Sequence, residues 1–223
     1  GSPKGKKARE YLAERQITSE SIKHFGVGFA PDEWEGVTKH LKAKGYTDDE
    51  ILQSGLGIRG KRGLFDRFRG RILFPIWDHR DRVVGFAGRI LPGESDLAKY
   101  LNSPDSPIYH KGDVLYGLKQ AREAIREQQE AVLVEGNLDV ILSAQAGVAN
   151  VVAASGTALT GLQLKRLSRL ARRVVLAFDP DSAGLAALER VASLERPADL
   201  NLYVAPLPVG EDPADLALRD PEA

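Results

Sequence analysis

The sequence predicts an α/β protein in which an α+β N-terminal subdomain precedes a subdomain built on a mostly parallel sheet flanked by helices. Three observations carry that expectation. Residues 4–54 place apolar side chains at three- and four-residue spacing, and residues 56–91 switch to short β-branched and aromatic runs. From residue 113 onward, helical stretches alternate with continuous apolar runs. Strands separated by helices of about ten residues need crossover connections, which make neighbouring strands parallel.

Taken in order, the first helical stretches are KAREYLAERQ, SESIKHF after Thr18, WEGVTKHLKAKG and TDDEILQSG. Thr18, Asp32 and Thr47 read as N-caps, and Gly26, Gly45 and Gly55 as stops. GLGIRG, GLFDRF, RILFPIWD and RVVGFAGRIL read as antiparallel strands, with His79-Arg80-Asp81 as a hairpin turn. Residues 92–112 are rich in Pro, Ser and Asp and read as one long loop, of a length that compact domains tend to keep for function. The alternating series follows as helix 117–129, strand 131–135, helix 138–146, strand 149–154, helix 160–171, strand 173–178, helix 182–195 and strand 199–205. The expected division is residues 1–116, residues 117–217, and 218–223 as the start of a C-terminal helical part.

Composition narrows the chemistry. The chain has 223 residues, 43% hydrophobic and 28% charged, enough to bury a core and too apolar to be disordered. No apolar run approaches the roughly 20 residues that span a bilayer, so no membrane role and a cytoplasmic location are expected. Cysteine is absent, which removes disulfides, thiolate zinc sites and cysteine nucleophiles. His24, His40, His79 and His110 are scattered without ligand spacing, and no GxSxG elbow occurs. The Gly1-Ser2-Pro3 start and the lack of any Met read as an excised fragment.

The net charge is zero but unevenly spread. Arg59 to Arg71 carries six basic residues and one acid, whereas Asp179 to Ala223 carries ten acids and three arginines. A basic ridge with a separate acidic cluster suits a polyanion handled through metal ions.

The acids fall at telling positions. In a parallel sheet, ligands sit outside the carboxyl ends of the strands. Glu135 ends one strand, Asp179 and Asp181 follow another, and Glu211-Asp212 follow a third, with Asp139 one helical turn beyond Glu135. Read alone, Asp179-Pro180 is equally an ordinary helix start, an N-cap acid before proline. Helix capping does not account for a glutamate at a strand end followed by glycine. Carboxylates brought together repel unless a cation intervenes, and an all-oxygen donor set suits Mg²⁺ or Mn²⁺. Among the other charged stretches, Lys165, Arg166, Arg169, Arg172 and Arg173 read as a solvated helix face, whereas Arg59, Lys61 and Arg62 read equally as solvated hairpin charge or as a nucleic-acid contact. Gly136 and Gly184 read as permitting tight turns and close packing.

Glu135-Gly136-Asn137-Leu138-Asp139, the turn from Ala154 to Thr160, and Asp179-Pro180-Asp181-Ser182-Ala183-Gly184 resemble the TOPRIM module of topoisomerases and primases. DRFRGRILFPIWDHRDRVVGFAGRIL, AKYLNSPDSPIYHKGDVLYGL and EYLAERQITSESIKHFGVGFAP resemble the central RNA-polymerising domain of bacterial DnaG-type primases, over about residues 8 to 216. The resemblance implies a nucleotidyltransferase that makes short RNA primers on single-stranded DNA from ribonucleoside triphosphates during replication. It implies Glu135 as general base or acid close to the metals, and Asp179, Asp181 and Asp212 as holding two divalent ions, Mg²⁺ or Mn²⁺, with no zinc in this fragment. Asp139 would stand behind them. Arg67, Arg69 and Arg71 would form the basic ridge on template and primer. Lys99, Tyr100, Asn102, Ser103 and Lys111 would line the nucleotide path. Ala214 stands where a second acid is usual, with Asp215 next. The family's C-terminal domain contacts the replicative helicase and its N-terminal domain binds zinc; neither falls in this stretch, so a weakly active monomer is implied. Two rival readings stay open, a TOPRIM nuclease or topoisomerase fragment and a non-catalytic nucleic-acid-binding module.

Overall fold

A computed structural model of the chain describes residues 3–92, 98–154, 158–179, 182–207 and 213–219. It divides into two units, the first of residues 1–76 and 82–111, the second of residues 77–81 and 112–223.

The first unit opens with α1 (Lys6–Glu14) and α2 (Ser19–Phe25). Thr18 caps α2 as expected, its hydroxyl accepting from the Ser21 N–H at 3.2 Å, and Gly26 ends it in the left-handed region at φ 66°. After β1 (Gly28–Ala30) come α3 (Gly36–Ala43) and α4 (Asp48–Gln53). Thr47 and Glu50 form a reciprocal capping box on α4. Asp32 does not cap α3. That helix takes its cap from 29 and 28 residues downstream of the N–H groups it serves: buried Asp66 accepts from Val37 at 2.7 Å and Thr38 at 2.8 Å. A carboxylate across the fold supplies what the local sequence lacks.

The strands of this unit are β2 (Gly57–Gly60), β3 (Gly63–Asp66), β4 (Arg71–Trp77), β5 (Val83–Ile90) and β6 (Tyr100–Asn102). β2 and β3 form a hairpin, and β1-β4-β5-β6 form a separate antiparallel sheet. Ile72, Phe74 and Ile76 of β4 are fully buried. The region read as one long loop is more ordered than its composition suggests. Its backbone pairs Leu101 with Gly88 in register, and Tyr109 is 2% exposed. The strand itself, Tyr100-Leu101-Asn102, holds none of the Pro or Ser that gives the region its loop-like composition. β1 was likewise not expected, because three residues are too few to show a period.

The second unit holds α5 (Leu118–Gln128), β7 (Glu130–Val134), α6 (Asn137–Gln145), β8 (Val151–Ala153), α7 (Gly161–Leu167), β9 (Arg173–Leu176), α8 (Ser182–Ala192), β10 (Asn201–Val204) and α9 (Pro213–Arg219). The strands form one parallel sheet in the order β10-β9-β7-β8, as the alternation predicted. Ala131, Leu133, Val152, Val174 and Leu176 of the sheet pack with Ile125, Leu164 and Leu167 of α5 and α7. At Gly117, φ is 80° and a Cβ would come within 2.6 Å of Val140, so only glycine turns the chain into α5 there. α9 crosses residue 218, at which a C-terminal helical part was expected to start. It packs against α6 through a face that includes Ala214, 1% exposed. An acid at 214 would have to be buried there, which is a physical reason for alanine.

Candidate functional site

The acidic edge of the second unit follows from strand register. Leu133 of β7 pairs with Leu176 of β9, and the ladder continues with Ala177 N–H donating to Leu133 O at 2.9 Å. Because the strands are parallel, both carboxyl ends leave the sheet at the same edge. Glu135 and Asp179 are therefore delivered side by side, although 44 residues separate them. The Asp179 N–H donates to Glu135 Oε1 at 3.2 Å, and Glu135 itself is exposed.

Gly184 makes this approach possible. A Cβ there would lie 2.0 Å from the Asp179 carbonyl oxygen, a distance no side chain tolerates, and in tight contact at 3.2 Å with Glu135 Oε1. The expected close packing at Gly184 is thus located: the first turn of α8 lies on the Asp179 carbonyl. Asp139 accepts from the Gly136 N–H at 2.8 Å, so at least one of its oxygens serves the start of α6. Asp181 and Asp212 lie outside the described residues, as does the Ser155-Gly156-Thr157 part of the turn; Asp215 is on α9.

No cluster of three or more His, Cys, Asp or Glu that could hold a metal occurs among the described residues. The donors present are nonetheless carboxylate oxygens at a solvent-facing sheet edge, a set that fits a hard divalent ion and no soft one.

A network behind this edge locks the segment after Lys111 to the sheet. Tyr116 and Ala153 exchange backbone hydrogen bonds at the end of β8, at 2.8 and 3.1 Å. Thr160 caps α7 and donates to the Gly112 carbonyl, while fully buried Gln163 donates to Val114 O at 2.7 Å.

In the first unit the arginine ridge resolves into different environments. Arg69 lies over the Trp34 ring at 4.2 Å and the Phe65 ring at 5.3 Å, and also donates to the Asp66 carbonyl. Trp34 is 64% exposed, a large apolar face left in water. Arg67 is half-buried; burial lowers its pKa, and its Nε has no partner among the described residues. Arg71 is 4% exposed, its pKa lowered by burial and by neighbouring Arg69, and it reaches the Lys99 carbonyl at 3.4 Å. Arg59, Lys61 and Arg62 are exposed, and Arg59 pairs with Asp49 at 3.4 Å.

Among the residues expected on the nucleotide path, Lys99 and Tyr100 are exposed, with the Lys99 ammonium 5.9 Å from the Tyr100 ring centroid. Arg89, 7% exposed, lies between the Tyr11 and Tyr100 rings, 5.3 Å from each, and donates to the Tyr100 hydroxyl. Ser103 is buried, its Oγ accepting from Phe86 N–H at 3.0 Å, so it pins the strand and meets no solvent. Asn102 pairs with Ala87 on β6, and the Lys111 N–H donates to Asp105 at 3.0 Å. Trp34 and Arg89 escaped the sequence reading. A tryptophan beside Asp and Glu offers no period to read, and Arg89 lay inside an apolar strand.

Residues 1–122 match the family described as DNA primase catalytic core, N-terminal domain, and residues 132–217 match the family described as Toprim-like. The DNA primase of Halalkalibacterium halodurans is 45% identical over 215 residues, covering 95% of this chain and 35% of that protein. The DNA primase of Streptomyces coelicolor is 42% identical over 221 residues, covering 97% and 34%. The chain thus spans about a third of the length of the curated relatives it matches. The crystal structure of the RNA polymerase domain of Mycobacterium tuberculosis primase DnaG superposes with a TM-score of 0.91 at 38% identity, covering 98% of this chain and 74% of that one.

Proposed function

The chain belongs to the DNA primase family, in its catalytic core, and on that footing we propose that it is a primase domain that joins ribonucleotides on single-stranded DNA. The observation that carries this reading is the Glu135 carboxylate held by the Asp179 N–H at the carboxyl edge of the parallel sheet. Phosphoryl transfer asks a protein mainly for positioning and charge neutralisation. In the proposed reaction the primer 3′-hydroxyl forms a new O–P bond to the α-phosphate of the incoming nucleotide, and the bond to the bridging oxygen breaks to release pyrophosphate. The hydroxyl proton passes to Glu135, whose carboxylate is exposed at that edge. Asp179, with Asp181 and Asp212, would hold Mg²⁺ or Mn²⁺, which supplies neutralisation of the triphosphate when bound.

The first unit supplies the strand contacts in this proposal. Arg69 on Trp34 offers a cationic and aromatic platform suited to unpaired bases and phosphates. Lys99, Tyr100, Asn102 and Lys111 meet nucleotide, while Arg67, Arg71 and Ser103 hold that surface in place. One solved relative is a DnaG primase catalytic domain bound to ssDNA, and it superposes with a TM-score of 0.87 at 36% identity. Synthesis is favoured over cleavage because the first unit, and not only the Toprim-like part, matches primases. Action on a bacterial chromosome would put the protein in the cytoplasm, beside a helicase engaged by parts of the whole protein beyond this stretch. No helix among the described residues is long and apolar enough to cross a membrane.

The test is primer synthesis on single-stranded DNA with labelled ribonucleotides and Mn²⁺, comparing the unaltered chain with Glu135→Gln. RNA products from both alike would remove Glu135 from the chemistry, and strand cutting without synthesis would replace the polymerase reading.

A further inference from the structure

The second unit contains a cleft of about 440 Å³ that the acidic edge does not use, walled by α5, the end of α7 and the turn after Trp77. Lys119, Arg122 and Arg126 stand at three- and four-residue spacing and so share one face of α5, while Arg166 and Arg169 come from α7 and its end. Five cations from two elements thus line one concavity. Only some are answered by acids. Arg122 pairs with Asp81 at 2.8 Å. Arg166 grips Asp113, its Nε at 2.6 Å, and that bond raises its pKa further. Lys119, Arg126 and Arg169 have no carboxylate partner among the described residues, and Asp78 is the one acid on the wall. Lys119 rests on the Trp77 face, 3.5 Å from the ring centroid, which holds its ammonium in place. The Trp77 indole N–H is buried with no acceptor among the described residues.

Like charges gathered in a concavity repel one another, and surface cations normally spread apart or pair. Here the two clamped arginines are fixed by Asp81 and Asp113, and three more cations converge on them with a single opposing acid. The volume lies in the range of small-ligand sites and is compact where a strand-tracking groove would be long. We propose that this cleft is a metal-independent binding site for a small oligophosphate anion, either inorganic or the phosphate chain of a nucleotide. The three unanswered cations neutralise the phosphates, and Arg122 and Arg166 keep the pocket's shape. The site is independent of the proposed polymerase chemistry.

Isothermal titration calorimetry on the full chain in EDTA tests it, with tripolyphosphate and ATP as separate probes and a short oligothymidylate as a third. Arg126→Glu with Arg169→Glu should weaken tripolyphosphate or ATP by at least about tenfold, the loss expected when charge-assisted hydrogen bonds are reversed. Arg126→Ala with Arg169→Ala should weaken it less, and an unchanged melting curve in either pair separates lost binding from lost folding. Glu135→Gln should leave affinity unchanged. So should Arg59→Glu with Arg62→Glu, an equal charge reversal on the exposed β2–β3 hairpin. Equal binding by both probes assigns the inorganic phosphate chain, and binding by ATP alone assigns a nucleotide. Three results overturn the proposal: no saturable binding of either probe, an equal loss in the hairpin variant, or a loss in the cleft variant confined to oligothymidylate.

Discussion

The Asp179 backbone N–H donates to the Glu135 carboxylate at 3.2 Å, so one side chain ties together the ends of two parallel strands. A glutamate used this way has its orientation set by the sheet while it stays exposed to solvent. The carboxylate is thereby aimed without being buried, which suits a group that must exchange protons with substrate.

Glu135→Gln keeps an acceptor for Asp179 and removes only the charge and the basicity. Primer synthesis should fall by about 10²–10⁴-fold, the usual worth of general acid–base catalysis. Thermal stability should stay within about 0.5 kcal/mol, as for most exposed substitutions. A fall in activity matched by early melting would mean that the side chain is structural.

Gly184→Ala sets two effects against each other. Alanine is better than glycine in a helix by about 1 kcal/mol. Its Cβ, however, would lie 2.0 Å from a backbone carbonyl that cannot swing aside. Overpacking of this kind costs about 1–3 kcal/mol, so the variant should unfold at lower urea and lose activity with it. A stabilised variant would show that α8 does not approach Asp179 as described.

Asp66→Ala removes the cap of α3 from a distance. Two N–H groups lose their acceptor in a buried setting, and a loss of about 1–3 kcal/mol in the urea midpoint analysis is expected. Asp66→Asn keeps one acceptor oxygen and should recover part of it. Equal losses in both variants would argue that the charge, and not the hydrogen bonds, matters.

Trp34→Ala strips the platform under Arg69. Affinity for single-stranded DNA should drop by about 1–3 kcal/mol, the worth of one stacked base, with the salt dependence little changed because no phosphate contact is lost. A changed salt slope with unchanged affinity at low salt would assign the residue to holding Arg69 alone.

Burial, and to a smaller degree Asp105, push the Tyr109 phenol up to about 12 from the ordinary 10.0. The folded state therefore holds its proton longer than the unfolded state does. Stability from this residue is complete below pH 10 and is lost between pH 10 and about 12 as the unfolded chain ionises first. Denaturant midpoints measured across that window should slope downward, and Tyr109→Phe should flatten the slope.

Local rules made much of this protein legible. The parallel sheet, the α5 helix before it and its three connecting helices α6 to α8, the Thr18 and Thr47 caps and the antiparallel β4–β5 hairpin all follow from periodicity and capping chemistry carried within a few residues. The sequence also determined that any metal would meet oxygen donors, and that Glu135 and Asp179 follow strand ends. Only the tertiary structure decided what required distant partners. It drew β6 and buried Tyr109 out of an apparent loop, gave α3 its cap from Asp66, and took Arg71 and Ser103 out of solvent. It set Arg69 on Trp34, and it converged the basic faces of two helices on one cleft. The physical reason is common to all of these. Spacing along a chain reports which face a residue takes, whereas register between strands and packing between helices report what that face meets.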